Sequence, residues 1–139
     1  MLKPVVLLGL SVFLSIAPSF AQAGKCPVIN GKFQRIVERD GQLFRQAFSQ
    51  YTRVERGVIS YSVGKEDPFL VADGVPKLAK RGKWEGEVSH SCSNGSLVIV
   101  SLESGANLPY RQELRPIGET ELRVDETNPA MSGIYTLVR

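Results

Sequence analysis

The stretch "KWEGEVSHSCSNGSLVIV", Lys83 to Val100, decides how this chain is read. Asn94-Gly95 sits between two runs of alternating character. A type I′ turn needs two residues that accept positive φ, and Asn-Gly supplies them. With that turn in place, Cys92 lies opposite Leu97, His90 opposite Ile99, and Val88 opposite Ser101. Strand side chains alternate, so these positions make one mostly apolar face, which Trp84 extends. Ser91, Ser89 and Glu87 oppose Val98, Val100 and Leu102 on the other. The stretch carries the only tryptophan and the only histidine of the chain together with its second cysteine. It reads as one hairpin of a barrel whose inner face collects them, and not as a reactive cluster.

The same punctuation recurs outward from this hairpin. Gly31 opens "KFQRIVER", which ends at Asp40-Gly41, a second two-residue hairpin signal. "QLFRQAFSQYT" then places Phe44, Gln46, Phe48 and Gln50 on one face. "RVERG" turns the chain into "VISYSV", where Ile59, Tyr61 and Val63 share a face. "GKEDP" leads to a short run, "FLVAD". "GVPKLAKRGK" breaks the rhythm with a proline and four basic residues (Lys77, Lys80, Arg81, Lys83), and is expected to be the longest loop. Beyond the opening hairpin come "LPYRQELRP", "ELRVDET" and "GIYTLVR". The pattern predicts an all-β fold: a single closed antiparallel up-and-down barrel of eight strands, or nine if Phe69 to Asp73 pairs fully. The last run is expected to close against the first and leave no free edge.

The two ends bear on location. Lys3, the apolar run "VVLLGLSVFLSIA" and the small-x-small site Ala21-Gln22-Ala23 form an export signal over residues 1–23. An uncleaved anchor fits less well, because the chain turns polar at once and no stop-transfer pattern follows. Lipidation at Cys26 fits less well too, since Lys25 precedes it. Removing 23 of 139 residues leaves 116 (24–139), the size of one domain. The charge of the remainder is close to balance, which with export excludes nucleic acid as a partner. Two cysteines in an exported chain imply one disulfide, Cys26 to Cys92.

Cys26-Pro27 before Gly31-Lys32-Phe33, then Phe69-Leu70-Val71-Ala72-Asp73-Gly74, then Ser91-Cys92-Ser93-Asn94-Gly95 resemble small exported lipocalin-like proteins of predatory bacteria. The resemblance spans most of residues 24–139 and rests on short motifs of turn residues. It implies an antiparallel barrel and the same disulfide, and carries over no catalytic residue. Gly31-Lys32-Phe33 stands where a lipocalin has Gly-x-Trp.

A lone histidine excludes a metal site with two histidine ligands, and no cofactor is implied. Glu85 and Glu87 share the outer face of their strand and read as solvated carboxylates. Asp73, before Gly74, reads as a turn former. The inward row is the better functional material. Phe44, Gln46, Phe48, Tyr61, Trp84, His90, Tyr110 and Gln112 are the candidate ligand-binding residues. In this phase, inward glutamines favour a wet cavity, because polar groups facing a dry core need partners; in the reverse phase the same glutamines face solvent. The leading expectation is an exported, non-enzymatic barrel that takes a small, partly apolar ligand in its interior. The alternative is a periplasmic or secreted interaction module that inhibits a partner through exposed loops. "LVIVSL" is apolar on both faces, so Val98, Val100 and Leu102 are expected to be covered by the basic loop Lys77 to Lys83 or by a second copy or protein partner.

Overall fold

The computed structural model describes residues 26–139, and the export-signal reading of residues 1–23 lies outside them. The described residues are all-β, with ten antiparallel strands in one sheet. They are β1 (Gly31–Arg39), β2 (Gln42–Glu55), β3 (Val58–Ser62), β4 (Leu70–Val71), β5 (Lys77–Arg81), β6 (Trp84–Ser93), β7 (Ser96–Glu103), β8 (Tyr110–Pro116), β9 (Glu121–Glu126) and β10 (Gly133–Leu137). A short 3-10 turn, Pro129–Met131, precedes β10. The order β4-β3-β2-β1-β10-β9-β8-β7-β6-β5 is an up-and-down meander.

The turns form where the chain asks for positive φ. Asn94 and Gly95 adopt φ of 50° and 84°, Asp40 and Gly41 51° and 77°. The β6–β7 register pairs Cys92 with Leu97, His90 with Ile99 and Val88 with Ser101, as the Asn-Gly turn requires. The last strand closes on the first, with Phe33 opposite Leu137 and Gln34 opposite Thr136.

Two expectations need correction. There are ten strands, not eight or nine, and the barrel is nearly closed rather than closed. The extra strand is the basic stretch read as a loop. Lys77 to Arg81 pairs with β6 from Lys77↔Val88 to Arg81↔Trp84. The open seam lies between β4 and β5, which follow one another in the chain but share no ladder. The link between them is pinned to strands on either side. Ala72 N–H donates to the Ile59 carbonyl (3.0 Å), and Gly74 N–H to that of His90 (2.8 Å). Lys77 Nζ reaches back across the seam to the Val71 carbonyl (3.3 Å) and Asp73 Oδ1 (2.6 Å). That ammonium holds the Asp73 carboxyl below the usual carboxylate range, chiefly through the hydrogen bond.

The core fills the disulfide end of the barrel. Ile29, Phe33, Ile59, Tyr61, Val88, Leu97, Leu114, Leu122, Val124 and Tyr135 are buried there. Phe33 stacks on Phe48 at 5.8 Å between centroids, and Phe48 meets Tyr135 edge-on at 5.1 Å. The disulfide Cys26–Cys92 ties the N-terminal strap to β6. The strap is also hydrogen-bonded: Tyr61 Oη donates to the Pro27 carbonyl (2.6 Å), and Ile29 N–H to Thr52 Oγ1 (2.8 Å).

The outer stripe is only partly covered. Val98 is 9% exposed and Leu102 36%. The basic stretch cannot serve as its cover, because it is spent as β5 at the sheet's edge.

Candidate functional site

The inward face changes character along the barrel axis. Below, it is apolar and packed; toward the opposite end, the mouth, it is polar. The register explains this without any helix or insertion. On β1 the inward set runs Phe33 to Arg35, on β2 Phe48 to Gln46, on β8 Leu114 to Gln112 and Tyr110, and on β9 Val124 to Glu126.

Two polar clusters line the mouth. In the first, Arg35 Nε and Nη2 donate to Gln46 Oε1 (3.2 and 3.0 Å), and Nη2 also donates to the Ala130 carbonyl (2.8 Å). Arg35 Nη1 donates to the Ser132 carbonyl. Tyr135 Oη donates to the Met131 carbonyl (2.7 Å), with Gln46 Oε1 3.1 Å away. A Cβ at Gly133 would collide with the Arg35 guanidinium, so glycine there makes room for this plug. In the second cluster, Tyr110 Oη donates to Glu126 Oε2 (2.8 Å) and Gln112 Nε2 to Glu126 Oε1. Burial and the Glu126 carboxylate push the Tyr110 phenol up, so it stays a donor.

Beside these clusters the mouth holds a pocket of about 440 Å³, lined by Arg81, Trp84, Ser101, Glu103, Ala106, Leu108 and Tyr110. Below it lies a smaller inner chamber of about 80 Å³, whose walls include Phe48, Gln50, Val63, Arg81, His90, Ser101 and Gln112. Arg81 and Ser101 belong to both. The mouth pocket has the size of a small-molecule site; the chamber alone does not.

His90 is 1% exposed, and both of its ring nitrogens lack a hydrogen-bonding partner. Its ring stacks on Tyr61 at 5.9 Å and 15°, spanning the seam from within. Burial, helped by Arg81 and Lys77, pushes its pKa down to about 4, so the imidazole is neutral at pH 7. Burial also lowers the Arg81 pKa.

The candidate residues therefore divide. Trp84 and Tyr110 line the mouth pocket; Phe48, His90 and Gln112 line the chamber. Gln46 faces inward but is engaged by Arg35 and Tyr135. Tyr61 is fully buried in the core, below the chamber. Phe44 is 46% exposed, near the tip of the β1–β2 ribbon beyond its pairing with β10. Sequence reasoning missed Arg81, Ser101 and Leu108. Alternation through "KLAKRGKWEG" would have pointed Arg81 inward, had the stretch been taken as a strand.

A larger hollow of about 580 Å³ lies on the outer side of β2–β4, walled by Arg53, Glu55, Arg56, Val58, Ser60, Phe69 and Val71. It is open, and Arg53 already covers the Phe69 ring at 4.5 Å. The mouth pocket is the one that inward-facing residues of the barrel line. Among the described residues no three His, Cys, Asp or Glu side chains gather as metal ligands, and no helix is long and apolar enough to cross a membrane. The chain matches no family model, no curated protein and no solved structure.

Proposed function

We propose that this is an exported, non-enzymatic barrel, related to the lipocalin-like group it resembles, that binds a small, partly apolar ligand through its mouth. The observation that carries this reading is the mouth pocket, where Trp84, Leu108 and Tyr110 offer apolar walls and Arg81, Ser101 and Glu103 a few polar groups. A concave, mostly apolar site with few polar anchors is the usual form of a ligand pocket. The disulfide is compatible with an oxidising, exported location.

Trp84 is the sole tryptophan, so its fluorescence reports on this pocket alone. Titration with fatty acids, retinoid-like and aromatic compounds should give a saturable change for at least one class. Leu108 is 83% exposed on the β7–β8 loop, so Leu108→Asp leaves the fold intact. It should weaken that binding roughly tenfold, the cost of one lost apolar contact. No response from any class would end the reading.

The second reading is a protein-interaction or inhibitor module. One observation favours it: on the outer face Leu78, 83% exposed, and Leu102 flank Glu87, next to Val100 and Val98. Sedimentation of the wild type against Val98→Thr/Val100→Thr separates the cases. A self-associating face should give a dimer that the double variant dissociates. Monomer in both would remove the homodimer.

A further inference from the structure

Arg81 and His90 pose the same physical problem from two sides of one chamber. Arg81 points inward at the end of β5, opposite Trp84, and is partly buried. None of the ion pairs among the described residues involves it. A buried, unpaired cation is costly, and the cost falls when an anion joins it. His90 lines the same chamber, sealed from solvent, with neither ring nitrogen satisfied. A neutral imidazole brings one N–H donor and one acceptor. Ser101 adds a hydroxyl at the neck between chamber and mouth.

The charges around this chamber favour an anion. Lys77 and Arg81 come from β5, and both bear on His90; Asp73, from the link between β4 and β5, acts in the opposite sense. Asp73 is already paired with Lys77, and Asp67 acts on Arg81 only through space, without an ion pair, so the Arg81 guanidinium keeps its donors open. At the outer rim Glu103 has the reverse effect. An anion therefore gains by passing Glu103 and lying deeper, against Arg81.

Resting on the ligand-binding reading, we infer that the guest is an organic acid whose carboxylate enters the inner chamber against Arg81 and His90, while its apolar body lies between Trp84, Leu108 and Tyr110. The size fits. A chamber of about 80 Å³ holds about three water-sized groups, the number of heavy atoms in a carboxylate. The chemistry fits as well. A guanidinium binds a planar carboxylate with two parallel N–H bonds, and the imidazole N–H or the Ser101 hydroxyl can donate to the remaining lone pairs. A phosphate, with five heavy atoms, would exceed the space of a chamber that holds about three.

Octanoate and octanol, which share a chain and differ in the charged head, test this on the mature protein. Trp84 fluorescence should report octanoate binding roughly ten- to a hundredfold tighter than octanol, the range for a hydrogen bond to a charged group. Arg81→Gln should remove that preference, bringing octanoate down to the affinity of octanol. As the sole histidine, His90 gives one set of imidazole resonances. Octanoate should shift them at saturation, and octanol should not. Equal affinity for the two probes, a preference that survives Arg81→Gln, or a His90 signal unmoved by octanoate would each overturn the carboxylate assignment, the last by showing a chamber that holds solvent only. Octanol binding without preference would leave the ligand-binding reading standing. Failure of both probes, together with the wider panel, would remove both.

Discussion

Loss of the Cys26–Cys92 bridge is expected to cost about 4 kcal/mol of stability. The two cysteines lie 66 positions apart, so reduction frees a long loop in the unfolded chain. The chain-entropy contribution grows with the logarithm of that length. The folded state should change little, because the strap keeps other ties: Thr52 Oγ1 both accepts from Ile29 N–H and donates to the Ile29 carbonyl, and Ile29 is buried in the core. A domain of this size has only about 5–15 kcal/mol in hand, so the loss is a large share of the total. Urea unfolding of the oxidised protein against Cys26→Ala/Cys92→Ala should show a large drop in midpoint with a near-native spectrum before the transition. A difference under about 1 kcal/mol would mean that the unfolded chain is already compact in that segment.

What the sequence discloses follows from which signals are local. The opening hairpin was legible to the residue, because Asn94-Gly95 dictates both turn type and register, and alternation then assigns faces to Trp84, His90 and Cys92. That Phe44, Gln46 and Phe48 share one face, and Tyr110 and Gln112 another, was legible from alternation; which face points inward was not, since alternation alone leaves the phase open. Depth was not legible either. Phe44 shares the phase of Phe48 but lies past the rim, and Tyr61 shares it but lies under the chamber. How far a hairpin overshoots its neighbours depends on strand stagger around the barrel, which no local pattern encodes.

Strand β5 was hidden for a sharper reason. A half-buried strand is expected to point apolar residues in and polar residues out. In Lys77 to Arg81 the polarity is partly inverted: Lys77 and Arg81 face inward with Ala79, while Leu78 faces out. The segment therefore reads as a solvated basic loop. The inversion places two cations beside the seam, one used as a pin to Asp73 and one left at the chamber. The local rule fails at the part of the barrel that carries the proposed site, where function and stability make different demands on a residue.

Acid should weaken the folded protein through His90 well before most carboxylates titrate. The imidazole has an ordinary pKa of 6.5 and is held at about 4 in the fold, first by burial and then by Arg81 and Lys77. The unfolded chain thus binds this proton more readily than the folded one, and stability must fall as pH falls. The contribution is fully present above about pH 6.5 and is lost progressively down to about pH 4. The gap corresponds to about 3 kcal/mol, since each unit is worth about 1.4 kcal/mol. Lys77 and Arg81 add to the cost of burial and Asp73 offsets it. Tyr61 stacks on the ring and offers no charge, Asp73 is drawn off by Lys77, and the Arg81 charge opposes a second cation. Urea midpoints of the wild type and His90→Leu, taken at pH 7 and pH 4, isolate the term, because the carboxylates contribute alike to both proteins. The wild type should lose about 3 kcal/mol more than the variant between these pH values. Equal losses would mean that His90 keeps an ordinary pKa, and hence that its nitrogens reach solvent in the folded protein. Octanoate at saturation should narrow the difference, since a carboxylate beside the ring favours the imidazolium and raises its pKa toward the ordinary value.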